Sequence, residues 1–301
     1  MAFLRKSFLM AIGFFMAACS SQPSKPMDYR AEMRAFVSAM SVYAKAKHPG
    51  FLIVPQNGIE LISPDYLAAI DAVGQESLHF SHALDERTTG EQHRQYLYGY
   101  LNRVKDAEKR VFVTDYVGSV AQAGESDRLN AAAGFEGFAA TSRELDGIPR
   151  TTGSFLYLIN PGKFSDKEEY LAALESASQG LLIVDSSYSG DHALSSQDVA
   201  RLQKGGRTVI AYLSVGEAET YRSYWDPTWK ETPPPWLAEE NPDWEGNIKV
   251  HYWDPAWQKI IFGSPDAALD QILAAGFDGV YLDIVDAYGY FEAKRNVSDA
   301  S

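Results

Sequence analysis

The 301 residues are 46% hydrophobic and carry a formal charge of −13, enough apolar content for one large domain or two small ones. That acidic balance excludes a nucleic-acid backbone as the partner, because phosphates want a basic face. Cys19 is the single cysteine, which excludes an internal disulfide framework.

The chain opens with Arg5 and Lys6, then an apolar run over residues 8–18 that is too short for a permanent membrane span. The run ends in "MAACSS", which resembles a bacterial lipoprotein signal with Cys19 as the lipidated residue; an ordinary secretory signal cut nearby is the other reading. Residues 1–18 are therefore expected to be a signal peptide, and residues 19–28, which are Ser/Pro-rich, a tether. The expected location is the bacterial cell envelope, periplasmic or outer surface, with the membrane as a partner through the N-terminal lipid.

From residue 29 the sequence alternates. Residues 29–48 carry Met33, Phe36, Val37, Met40 and Ala44 at helical spacing. A strand over 51–54 runs into Pro55, Gln56 and Asn57; Ser63 and Pro64 then read as the cap and first position of a helix. Strand 72–80, helix 91–105, strand 110–116, a helix near 127–133, strand 134–141 and strand 154–160 follow. Ser165 and Glu168 make a capping box before the next helix. Strand 180–187, a helix near 196–204, strand 207–217, an aromatic insertion at about 220–258, helix 266–275 and a strand at 279–282 complete the series. No strong helical pattern follows that last strand.

Eight mostly apolar strands with helical segments between them fit an α/β fold of the (β/α)8 TIM-barrel type, one domain over residues 29–301. A doubly wound open sheet is the alternative, but no Gly-rich phosphate loop follows any strand. The phase is unusual, since the chain begins with a helix and ends with a strand. The helix over 29–48 is expected to cover the flank of the last strand.

The stretches "VIAYLSVGEAETYRSYW", "PPWLAEENPDWEGNIKVHYWDPAWQKII" and "AGFDGVYLDIVDAYGYFE" resemble glycoside hydrolase family 114, the endo-α-1,4-polygalactosaminidase-like barrels. The N-terminal "FLIVPQNGIELI", "GQESLHF" and "VFVTDYV" resemble the second half of that family, so the resemblance implies a circularly permuted TIM barrel. It also implies a glycosidase, endo-acting on an α-linked galactosamine-type polysaccharide. Glycoside hydrolysis needs two carboxyl groups flanking the scissile bond. The resemblance points to Asp283 as nucleophile or base and Glu76 as general acid, with burial among apolar groups expected to favour a proton held at the mouth.

Barrel chemistry sits at the C-terminal ends of strands. Those ends offer Gln56, Asp115, Tyr116, Asp185, Glu217 and Asp286 besides the pair, all expected to line a substrate pocket. Asp286 reads equally as a loop cap. Glu217 and Glu219 read either as a grip on a sugar amine or as ion-pair partners of Arg222. All six tryptophans fall between residues 225 and 257, and flat indoles make stacking platforms; Trp225 and Trp236 are the expected sugar contacts. An acidic cleft suits a polymer with free amines. The histidines are scattered, no cofactor or metal is required, and a monomer is expected. A barrel that binds polysaccharide without cutting it is the competing function.

Overall fold

The computed structural model describes residues 26–81, 87–148, 153–190 and 192–299. The expected signal peptide, Cys19 and the tether up to residue 25 lie outside the described residues. Among those described, no helix is long and apolar enough to cross a membrane.

Helix α1 (Tyr29–Lys47) is capped by Asp28, which accepts from the Ala31 N–H at 3.0 Å, and it buries Met33, Phe36, Val37, Met40 and Ala44 along one stripe. β1 (Leu52–Pro55) and α2 (Pro64–Ala69) follow, with Ser63 capping α2 and Pro64 at its first position, as the sequence predicts. Next come β2 (Ala72–Glu76), the short hairpin β3 (Phe80–Ser81) and β4 (Arg87–Thr88), α3 (Glu91–Asp106), β5 (Arg110–Tyr116) and α4 (Val120–Ala133). After β6 (Glu136–Ala140) and β7 (Leu156–Leu158) lie α5 (Lys167–Ser176), β8 (Leu181–Asp185), α6 (Ser196–Leu202) and β9 (Thr208–Ser214). The aromatic insertion holds β10 (Glu217–Glu219), β11 (Leu237–Glu240) and β12 (Asn247–Val250). Helices α7 (Pro255–Ile261) and α8 (Ala268–Ala275), strand β13 (Gly279–Asp283) and helix α9 (Tyr288–Asp299) complete the order.

The long strands are parallel. One sheet runs β7–β8–β9–β13–β1 and another β2–β5–β6. The first and last strands of the series are thus direct neighbours, with Leu52 opposite Gly279 and the Gln56 N–H donating to the Leu282 carbonyl at 2.8 Å. The two sheets touch at both ends. Gln56 bridges Gly74 on one side, and the Ser154 N–H donates to the Gly137 carbonyl at 2.8 Å on the other. β8 is buried along its whole length, which explains its unbroken apolar run.

Several expected boundaries move, for local reasons. The strand expected over 72–80 stops at Glu76, because Ser77 takes a left-handed φ of 57°. The strand expected over 207–217 breaks after Ser214. Gly216 lies so close to the exit of β13 that a Cβ there would stand 2.2 Å from the Ile284 carbonyl oxygen, and the chain turns into β10. The expected Ser165–Glu168 capping box is not formed: Asp166 caps α5 by accepting from the Glu169 N–H, and Glu169 accepts from the N–H and hydroxyl of Ser165, the residue before the cap.

The largest correction is α9, where no helix was expected. Its pattern is weak within twelve mostly polar residues, and its partners lie far away in sequence. Phe291 packs against Tyr29, Tyr252 and Trp253; Arg30 makes a two-pronged ion pair with Glu292; Lys294 pairs with Glu239. Helix α1 sits between α2 and α8. The Ser41 hydroxyl donates to the Ala69 carbonyl, Phe36 and Tyr43 pack on Phe262, and Tyr43 and Lys47 bond Asp270. It therefore lies beside α2 and α8, next to the β13–β1 pair, although the expectation that the chain ends with a strand is overturned by α9.

Candidate active site

The C-terminal ends of the parallel strands surround a cavity of about 480 Å³. Three neighbouring strands leave it in the same way. Each delivers a polar side chain at or just past its end, and the next residue turns the backbone into the left-handed region: Gln56, one residue beyond β1, then Asn57 (φ 58°), Glu76 then Ser77 (φ 57°), Asp283 then Ile284 (φ 58°). For Asn this conformation is common, but for a β-branched isoleucine it is strained. The turn sends the chain away and leaves the last strand side chain facing the cavity.

The expected pair, Asp283 and Glu76, lines this one cavity, although more than two hundred residues separate them. Each carboxylate is held by a tyrosine. The Tyr212 hydroxyl donates to Asp283 Oδ2 at 2.8 Å, and the Ile284 N–H donates to Oδ1 at 2.8 Å. Glu76 Oε1 accepts from the Tyr116 hydroxyl, and Oε2 accepts from Asn57 Nδ2 at 3.1 Å. Burial first, then Glu76, pushes the Tyr116 phenol well up. Burial and Asp283 do the same to Tyr212, so both phenols remain neutral donors.

Asp283 itself is partly enclosed. Loss of solvation and the neighbouring negative charge of Glu76 outweigh its two hydrogen bonds and push its carboxyl up to about 8. Asp286, at the rim, is also raised, by the surrounding protein first and then by Glu76 and Glu217, against a backbone hydrogen bond. Its side chain keeps contact with solvent, so Asp283 is the more strongly affected group.

Gln56 faces the cavity and accepts from the Tyr157 hydroxyl at 2.8 Å. Asp185 and Glu219 also line it, clamped on Arg222: Nη1 reaches Asp185 at 2.7 Å and Nε reaches Glu219 at 2.6 Å. Burial works against the Arg222 charge, but Glu219 and Asp185 overcome it and hold the guanidinium protonated. The ion-pair reading thus holds for Glu219 and Asp185, within the cavity wall. Carboxylates outnumber guanidiniums around the cavity, with Glu76, Asp185, Glu219, Glu245, Asp283 and Asp286 set against Arg143 and Arg222.

Four expected pocket residues lie elsewhere. Asp115 points to the opposite side of β5 from Tyr116 and is fully buried. It accepts from the His79 and Phe80 N–H groups, the Ser126 hydroxyl and Asn130 Nδ2. Successive strand residues face opposite ways, so only one of the two neighbours can reach the cavity. Glu217 is buried in the insertion, paired with Lys249 and bonded to Asn241 and Asn247. Trp236 is 4% exposed and packs against Trp229 and Trp257, and Trp225 meets Trp229 edge-on. These indoles form the core of the insertion.

Trp244 is the tryptophan that lines the cavity, with the Arg143 guanidinium 4.6 Å from its ring centre. Tyr157, Tyr212, Arg143 and Trp244 were not foreseen. The tyrosines carried a readable signal, since Tyr116, Tyr157 and Tyr212 all lie in the last turns of apolar strands. Below the pair, Tyr281 crosses the interior towards Gly74, where any Cβ would stand 1.9 Å from its hydroxyl. That hydroxyl is fully buried and has no hydrogen-bond partner among the described residues.

An α/β fold whose parallel strands bring two carboxylates to one cavity is consistent with a TIM-like glycosidase. Residues 174–300 match the Glycoside-hydrolase family GH114. The matched region contains Asp283, Asp286, Arg222 and Trp244; Glu76, Gln56 and Tyr116 lie outside it and reach the site through the fold.

Among curated proteins the chain is 48% identical over 113 residues to an uncharacterized protein, MJ1477, of Methanocaldococcus jannaschii, covering 37% of this chain and 32% of that one. It is 52% identical over 83 residues to an uncharacterized protein of Deinococcus radiodurans, covering 28% and 26%. It is 38% identical over 117 residues to an uncharacterized protein of Thermotoga maritima, covering 39% and 34%. The aligned stretches thus span about a third or less of these relatives.

Proposed function

We propose that the chain is a glycoside hydrolase that cuts within an α-linked polysaccharide of the galactosamine type, using Asp283 and Glu76. The observation that carries this reading is the pair itself: two carboxylates in one cavity, each held by a phenol, with the proton affinity of one raised by the other. A glycosidase needs one carboxylic acid and one carboxylate at the same time, and mutual repulsion in a poorly solvated site supplies that state.

In the free site the proton sits on Asp283. A sugar ammonium bound beside Asp283 and Asp286 would lower the proton affinity of both. Glu76 then acts as the general acid at the leaving oxygen, while the ionised Asp283 attacks the anomeric carbon or activates water. The excess of carboxylates around the cavity favours a polymer with free amines over a neutral one.

The reading extends to architecture. The two sheets, touching at Gln56–Gly74 and Ser154–Gly137, would form a single eight-stranded ring over residues 29–301, with its starting point permuted relative to the order usual in glycoside hydrolase family 114. Helix α1 begins beside the mouth, where Arg30 stacks on Tyr288 two residues beyond Asp286. A lipid on Cys19 and a tether over residues 19–28 would therefore hold a monomeric barrel with its mouth near an envelope membrane.

The test is release of reducing ends by the chain lacking residues 1–18. It should cut de-N-acetylated α-1,4-galactosamine polymer faster than the acetylated form, and Asp283→Asn should abolish the cutting. Binding without any reducing ends would leave the competing function, a carbohydrate-binding barrel.

A further inference from the structure

The small sheet β10–β12–β11 has a hollow on each side, and neighbouring residues divide between them. Glu219 and Asn247 face the candidate active site; Thr220, Gly246 and Ile248 face a second hollow of about 700 Å³; Glu245 borders both. The wall between them ends in a low crest. There the Thr220 N–H donates to the Gly246 carbonyl at 2.9 Å, and Gly246, at φ 83°, lies so close that a Cβ would stand 2.6 Å from Thr220 Oγ1. Only a glycine leaves that crest bare without strain.

We propose that the second hollow is a further sugar subsite. The polysaccharide, with its reacting link between Glu76 and Asp283, passes over Gly246 and seats further units against Trp229. This rests on the polysaccharide reading above.

The lining suits a hexosamine ring. Trp229, Leu237 and Ile248 give an apolar bed for the carbon–hydrogen face, while Thr220, Glu240 and Glu245 offer oxygens for hydroxyl and ammonium groups against one lining cation, Lys230. Trp229 is held edge-on between Trp225 and Trp236, with ring centres 5.1 and 5.0 Å away, so little side-chain freedom is lost on binding. Glu240 is fixed by the Gly246 N–H at 2.8 Å. The tryptophan cluster thus acts at one remove: most of its indoles pack, and the packing holds one of them at the second hollow.

The experiment uses calorimetry with de-N-acetylated α-1,4-galactosamine oligomers, from dimer to octamer, on the Asp283→Asn protein. Affinity should rise about tenfold or more between short and long oligomers, about 1.4 kcal/mol. Adding Trp229→Ala should remove that rise and leave the short oligomers unchanged. Thr220→Val, which keeps the side-chain shape, should cost the long oligomers alone a smaller factor. Affinity independent of length, equal losses at all lengths in both variants, or no binding of any oligomer would overturn the proposal. Length-dependent binding beside a wild-type protein that releases no reducing ends would sink the hydrolase reading and leave the subsite standing.

Discussion

Asp283 and Asp115 both stand at the ends of parallel strands, and they live in opposite conditions. Asp115 faces the helices, is fully buried and accepts from four donors. Asp283 faces the cavity, accepts among the described residues from one phenol and one N–H, and shares its surroundings with Glu76. A carboxylate that is saturated with donors is a structural part. One that is left short of donors, beside another charge, keeps a proton it can give up or receive. The contrast shows that a strand-end acid takes its role from the direction of its side chain and the number of its donors.

The comparison breaks most sharply through exchange of the two acids for amides. Asp283→Asn should cost at least about a thousandfold in turnover while the protein stays folded, since the attacking or activating oxygen is lost. Asp115→Asn should do the reverse. It turns two donors from the backbone of residues 79 and 80 towards a weaker acceptor and leaves one buried partner unmet, at about 2–4 kcal/mol of stability by denaturant unfolding. Equal effects of the two changes on turnover would erase the distinction.

The pH dependence of stability sharpens it further. The Asp283 carboxyl is raised to about 8 in the folded protein, above its unfolded value near 3.9. The folded state then holds the extra proton between those values, so this group's contribution to stability falls as pH rises from about 4 to about 8 and is flat beyond. Asp283→Asn removes the penalty. Its melting temperature should match wild type near pH 4 and exceed it by a few degrees near pH 8.5. A variant equally stable or less stable at both pH values would contradict the account.

Smaller effects are expected below the pair. Gly74→Ala places a Cβ against the Tyr281 hydroxyl and should cost about 1–3 kcal/mol. Tyr281→Phe deletes a hydroxyl with no partner among the described residues; it should be close to neutral alone and should recover much of the loss in the double variant. The smallest effect is at Ile284. Replacing an isoleucine at φ 58° with glycine relieves strain, and a gain of about 1 kcal/mol or less is expected, with slower turnover if the strained turn holds Asp283 in place.

Much of this was legible in the sequence, and the failures have physical causes. Apolar runs without alternation marked the buried strands, and Ser63–Pro64 marked the start of α2, because those signals are local. Asp283 and Glu76 could be chosen as partners only through resemblance to a family, since composition says nothing about which strand ends meet. Asp115 was misplaced by one step of side-chain alternation. Clustering in the sequence reveals that indoles are together, not which of them faces the cavity, so Trp225 and Trp236 read as sugar platforms no less than Trp244 does. Helix α9 was missed because its contacts with Tyr29 and Trp253 lie outside any local window.

The most direct measurement is a carbon-13 NMR titration of the Asp283 carboxyl, assigned by its loss in Asp283→Asn, in wild type and in Glu76→Gln. If the two acids share one proton, the wild-type midpoint lies near 8 and drops clearly when Glu76 loses its charge. An Asp283 that titrates in the ordinary aspartate range, or one whose raised midpoint is unchanged by Glu76→Gln, would contradict the shared proton on which the hydrolytic pair depends.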